Sequence, residues 1–176
     1  MTDAPATQRL FFALWPDDAT RDALDRTGKW LHRHWGGRRM RADTLHLTLA
    51  FLGDTPAAAR DAFLPMIDAI RAEPFELMLD QAGRWPHNRI GWLGCSAPAA
   101  PLADLAERLR RVLRESGVAL DARPFVPHVT LLRNAPGGPV PACAPVRWRV
   151  EDFVLATSRT DAGGARYEIA GRWPLA

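Results

Sequence analysis

The sequence predicts an α+β fold: two pseudo-symmetric lobes of antiparallel sheet, with helices outside and a central cleft for an active site. Three observations predict it. Short apolar or alternating runs are interleaved with amphipathic helical stretches. The order strand, helix, strand occurs twice, the first copy ending in LHLTLA (45–50) and the second in PHVTLL (127–132). At 176 residues the chain can bury most of its apolar surface, in one domain or in two small lobes sharing a core. A single bilobal domain over 1–176 is therefore expected, with residues 1–8 flexible.

Each element has a local reason. RLFFALW (9–15) is a continuous apolar run suited to a buried strand. The next segment, 16–35, starts with acidic residues and repeats Ala23, Leu24, Thr27, Trp30, Leu31 and His34 at three- and four-residue spacing. That is a helix capped by Asp17 or Asp18 and stopped at Gly36 and Gly37. A basic loop leads into TLHLTLAFLG (44–53), whose period-two pattern and closing glycine indicate a strand. Thr55 and Pro56 supply an N-cap and a first-turn proline for a helix through Ala72, with Phe63, Leu64, Ile67 and Ile70 inward and a kink at Pro65. PFELMLD (74–80) and RIGWLGCS (89–96) read as strands. PLADLAERLRRVLRESG (101–117) is strongly amphipathic, with Leu102, Leu105, Leu109, Val112 and Leu113 inward and Gly117 ending the helix. After the second motif and the Pro- and Gly-rich loop 134–145, residues 146–158 and 165–175 are strand candidates.

Composition excludes several classes. The longest apolar runs fall far short of the roughly 20 residues a membrane span needs, and Met1–Gln8 shows no secretory pattern; a monomer in the cytoplasm, with no membrane partner, is expected. Cys95 and Cys143 form no C-x-x-C and read as two unpaired thiols. The charge of +3 is compatible with an anionic partner, but Lys29 is the only lysine among 23 basic side chains. Such a skew reflects coding bias better than a nucleic-acid surface. The cluster Arg38, Arg39, Arg41 is more informative: it immediately precedes the first motif and would place positive charge at the mouth of a site, unless it is only a solvated loop.

The chemistry lies in the two motifs. Alternation along a strand puts His46 and Thr48 on one face and Leu45, Leu47 and Leu49 on the other; His128 and Thr130 stand likewise against Val129 and Leu131. If the lobes are related by a two-fold axis, both motif strands meet at the cleft and bring two imidazoles and two hydroxyls together. One imidazole can activate a nucleophile while the other protonates a leaving group, with hydroxyls donating to phosphate oxygens and an arginine stabilising developing charge. No metal or other cofactor is needed when a strained cyclic phosphate is the substrate.

These residues resemble the two-histidine (2H) phosphoesterases, whose signature is a pair of His-x-Thr-x motifs, here HLTL and HVTL, 82 residues apart. RLFFALWP, LHLTLAFLG, RPFVPHVTLLR and YEIAGRWPL look specifically like the bacterial RNA 2′,3′-cyclic phosphodiesterases, formerly called 2′-5′ RNA ligases. The resemblance implies hydrolysis of an RNA 2′,3′-cyclic phosphate end to a 2′-phosphomonoester, with His46 as proton donor, His128 as proton acceptor and Thr48, Thr130 and Arg133 as phosphate ligands. A reverse 2′-5′ ligation, action on small cyclic nucleotides, or a non-catalytic RNA-end binding module are the alternatives. Strict alternation opposes Arg133, since it places Leu132 on the His128 face; Arg133 reaches the phosphate only if the strand ends, twists or bulges after Leu131. Phe11 is the candidate to stack a terminal base, against a core reading for both Phe11 and Phe12. His32 and His34 form an H-x-H, but two-residue spacing on a helix points the rings apart, which disfavours a metal site. Trp15, Trp85 and Trp92 read as packing residues, and Arg84 and Arg89 as solvated unless they track an RNA backbone.

Overall fold

The computed structural model describes residues 7–97 and 99–176. Most of the segment expected to be flexible, residues 1–6, lies outside the described residues. Thr7 and Gln8 instead open the first strand, paired with Pro56 and Thr55. In chain order the elements are β1 (Thr7–Leu14), α1 (Asp18–Trp35), β2 (Arg38–Arg39), a 3₁₀ turn (Ala42–Thr44), β3 (Leu47–Pro56) and α2 (Ala57–Ile67). There follow β4 (Phe75–Leu79), β5 (Gln81–Trp85), β6 (Ile90–Gly94), α3 (Ala100–Glu115), β7 (His128–Arg133), β8 (Val146–Val150), β9 (Asp152–Asp161) and β10 (Gly164–Pro174).

The main sheet runs β10-β9-β1-β3-β7-β6-β5, antiparallel throughout, with β2 added to β7. A separate ribbon pairs β4 with β8. The two motif strands are neighbours, as the repeat predicts, but they share a single registered pair, Leu47 with Val129. The halves are tied instead by their helices. Helix α1, from the first repeat, packs on β7 of the second; α3, from the second, packs on β3 of the first. Each repeat therefore buries its helix against the other's motif strand, and neither apolar face is covered without its counterpart. The continuous core includes Phe12, Phe63 and Phe153, all essentially inaccessible, and each such side chain contributes roughly 1.5–3 kcal/mol of transfer free energy.

Helix α1 follows the sequence closely: the Asp17 carboxylate accepts from the Thr20 amide at 2.7 Å, and Gly36 follows the last turn with φ 64°. Helix α2 does not. Thr55 and Pro56 end β3, Pro56 takes the cap position without a side-chain hydrogen bond, and the helix stops at Ile67 rather than Ala72. Pro65 lacks an amide hydrogen and leaves the Asp61 carbonyl without its helical donor; after Asp68 the bonds tighten to the i→i−3 type, Ala69 to Met66 and Ile70 to Ile67, and the helix ends. Strand β5 has no counterpart in the sequence reading because Gly83 breaks its alternation. That glycine is where the Trp92 indole lies against the strand, in space a Cβ would occupy. Residues 146–158 form not one strand but two, divided at Glu151, with β8 in the ribbon and β9 in the main sheet. The basic loop contains β2, which pairs Arg38 with Arg133 and Arg39 with Leu132.

Candidate active site

A cavity of about 320 Å³ opens on the sheet between the two halves, lined by His46 and Thr48 from the first motif and His128, Thr130 and Arg133 from the second. His46 precedes the first residue of β3, and His128 is the first residue of β7. Both imidazoles are anchored in the same way. His46 Nδ1 lies 2.7 Å from the Thr44 carbonyl oxygen, and His128 Nδ1 lies 2.7 Å from that of Val126. A carbonyl only accepts, so each Nδ1 carries the proton and donates. Each Nε2 is left as the nitrogen available to the cavity, a lone-pair base when the ring is neutral and a donor when it is protonated.

Arg133 reaches the cavity because β7 bulges at Leu131. In the pairing with β6, Thr130 stands opposite Trp92 and Leu132 opposite Gly91, leaving Leu131 unpaired. Leu131 and Leu132 are both buried, the alternation slips by one, and Arg133 returns to the His128 face. Strand β3 repeats the device. Thr48 pairs with Ala13 and Ala50 with Phe12, so Leu49 is the unpaired residue, and Phe51 comes onto the cavity face. Phe51 thus occupies in the first half the position that Arg133 occupies in the second.

The surroundings of the two histidines differ. The His46 ring lies parallel to Trp15 at 5.3 Å, 4.9 Å from Phe11 and edge-on to Tyr167 at 5.2 Å. Burial pushes its pKa down to about 4, helped by the neighbouring charges of His128 and Arg133 and opposed by the hydrogen bond to Thr44. Among the described residues one aromatic ring pairs with His128, that of Trp85, edge-on at 4.5 Å; burial lowers its pKa too, against the hydrogen bond to Val126. Both shifts favour the neutral ring at pH 7 in the protein by itself.

Phe11 lines the cavity but offers a base little open ring face. It is 3% exposed, with its ring against His46 and Tyr167 in a small apolar cluster with Ala13, Val154 and Ala156. The exposed aromatic of the cavity lining is Phe51, 46% exposed, with the Arg9 guanidinium 4.9 Å from its ring centroid. Trp15 and Trp85 pack, as expected, but on the two site histidines. Arg84 donates to the Ala135 carbonyl and Arg89 to that of Asn134, so both hold the 134–145 loop. His34 bonds the Trp30 carbonyl, and among the described residues no His, Cys, Asp and Glu cluster of three or more is placed to hold a metal ion. No described helix is long and apolar enough to cross a membrane. Sequence reasoning missed Phe51, Arg9 and Tyr167; a period-two reading extended past Thr48 points Ala50, not Phe51, into the cavity.

A family model described as the 2′-5′ RNA ligase superfamily matches residues 16–162. The chain belongs to that superfamily. Within it, the chain is 38% identical over 173 residues to the RNA 2′,3′-cyclic phosphodiesterase of Escherichia coli strain K12, covering 96% of this chain and 97% of that one. It is 31% identical over 182 residues to the Thermus thermophilus protein of the same name, covering 95% and 90%. The crystal structure of E. coli LigT complexed with 3′-AMP superposes with a TM-score of 0.88 at 38% identity, covering 97% of this chain and 99% of that one. The superfamily assignment thus rests on nearly full-length agreement in both sequence and fold.

Proposed function

We propose that the chain hydrolyses RNA 2′,3′-cyclic phosphate ends to 2′-phosphomonoesters by two-histidine acid/base catalysis. The observation that carries this is the matched anchoring of His46 and His128, which turns an Nε2 from each half toward one cavity that also holds Thr48, Thr130 and Arg133. His128 Nε2 takes a proton from water as the water oxygen bonds to phosphorus. The P–O3′ bond breaks, and His46 Nε2 delivers its proton to the departing O3′, leaving the phosphate on O2′. Thr48 and Thr130 donate to the non-bridging oxygens, and the Arg133 guanidinium offsets the charge that grows on them.

The proton-donor role demands a charged His46, although burial favours the neutral ring in the protein by itself. The substrate supplies the remedy. A phosphate anion between the rings counters the positive charge of Arg133, one of the influences that hold His46 down, and itself favours the protonated imidazole, so substrate binding draws a proton onto His46. Phe51 offers an exposed ring face to the terminal base. The RNA 2′,3′-cyclic phosphodiesterase names of the relatives support the substrate class, and the motif residues of both halves line one cavity, which supports reading the chain as a single bilobal domain. A module that only bound RNA ends would need arginines rather than two oriented imidazoles.

The test is turnover of a cyclic-phosphate-ended oligonucleotide, with the product identified by mass spectrometry and its phosphate position by nuclease mapping. His46→Ala and His128→Ala are each expected to lose about 10²–10⁴-fold in kcat while melting normally, and wild-type activity is expected to survive EDTA. Full activity in either variant would sink the mechanism.

A further inference from the structure

Beside the catalytic cavity lies a second pocket of about 250 Å³, lined by Arg38, Met40, Arg41, Thr44, Arg133, Gly163, Gly164, Ala165 and Tyr167. The two share Met40, Thr44, Arg133 and Tyr167, so they are continuous. Arg38 and Arg133 stand directly opposite one another in the β2–β7 pairing. Like charges at facing positions of an antiparallel pair repel, and among the described residues neither arginine has a carboxylate partner. The nearby acids are already engaged: Asp43 by Arg41, Asp161 by Arg166, and Asp25 by Lys29. Gly163, Gly164 and Ala165 also line the pocket and present nothing larger than a methyl group. A two-residue strand thus sets two arginines, neither with a carboxylate partner among the described residues, at facing positions beside the phosphate site, where one anion can be met by both.

Building on the function proposed above, we propose that Arg38, together with Arg133, binds the phosphodiester immediately upstream of the terminal cyclic phosphate, so that the RNA chain leaves the active site over β2 and the Gly163–Ala165 turn. Arg133 would then touch both phosphates, and Arg38 only the second. This makes the enzyme a reader of polynucleotide ends and gives it a specificity element that a nucleoside cyclic phosphate, lacking a 5′-phosphate, does not engage.

The experiment compares wild type with Arg38→Ala and Arg38→Lys on a short oligonucleotide ending in a 2′,3′-cyclic phosphate and on a 2′,3′-cyclic mononucleotide. Arg38→Ala should raise the oligonucleotide KM relative to the mononucleotide KM by about tenfold, with kcat held, and Arg38→Lys should recover part of the loss. The salt dependence of log KM for the oligonucleotide should flatten by about one unit of slope. A parallel arm measures equilibrium binding, by fluorescence anisotropy, of an oligonucleotide ending in a 2′-phosphate, with a nucleoside 2′-monophosphate as competitor; Arg38→Ala should weaken the first tenfold relative to the second. Equal effects on both substrates would show that Arg38 only positions Arg133, and no effect on either would show a solvated arginine; each overturns the proposal. So would an oligonucleotide-specific loss in Arg110→Ala or Arg123→Ala with none in Arg38→Ala, which would send the chain along the groove beside His128, Trp85 and Phe125. If wild type turns over neither substrate, the proposed function falls, and the binding arm still decides Arg38.

Discussion

His46 and His128 reach the cleft through the same backbone bond but in unequal company, and that inequality has a kinetic signature. In the free protein both pKa values are depressed, His46 to about 4. The required state, His46 charged and His128 neutral, is a minor one until a phosphate enters. Since kcat/KM reports the free enzyme and kcat the complex, the optimum for kcat should lie at higher pH than that for kcat/KM; coincident profiles would show that the anion does not move these protons. Phe51→Ala should raise KM by a factor corresponding to about 1–3 kcal/mol of lost stacking, with kcat little changed, whereas Phe11→Ala should lower both stability and kcat because that ring is buried against His46. At this scale His46, Thr48, His128 and Thr130 were legible in the sequence because alternation holds across two residues. Phe51 was not, and Arg133 was contradictory, because an unpaired Leu49 or Leu131 intervenes and a bulge leaves no mark on composition.

The elements that position the site are short and rest on close backbone contacts. Strand β2 approaches the Arg133–Ala135 segment through Gly37, whose φ is 84° and whose added Cβ would stand 2.8 Å from both Ala135 Cα and the Arg133 carbonyl oxygen. Gly117 shares the left-handed φ, at 81°, but has open space around it. Gly117→Ala should therefore cost only backbone strain, about 1 kcal/mol. Gly37→Ala should cost more and should also lower activity by shifting Arg133; chemical denaturation and turnover assays on the two variants check both. Equal costs would show that the β2 contact yields readily. The long amphipathic helices α1 and α3 were readable because each is mostly determined by its own spacing and termini. Strands β2 and β5 were not, since two residues or a glycine-broken five carry too little pattern to stand apart from a loop.

Across the whole molecule, the buried histidines couple folding to pH. The folded pKa of His46 is about 4 against an ordinary 6.5. Between those values the unfolded chain binds a proton that the folded chain does not, so stability rises with pH there. The protein should be at full stability above about pH 6.5 and should lose up to about 3 kcal/mol from His46 as pH falls toward 4; His128 adds in the same direction. Urea titrations from pH 4 to 7 should show that slope, and His46→Gln should flatten it; an unchanged slope in the variant would assign the effect elsewhere. By itself the sequence determined the α+β class, the duplicated strand–helix–strand order and the two-histidine chemistry, because periodicity and spacing are local properties that survive in a string of letters. Only the tertiary structure decided that each helix covers the other half's motif strand, that bulges bring Arg133 and Phe51 into the cleft, and that Arg38 stands beside Arg133. Those are relations between segments far apart in the chain, set by register and by which faces remain to be buried once the strands have paired.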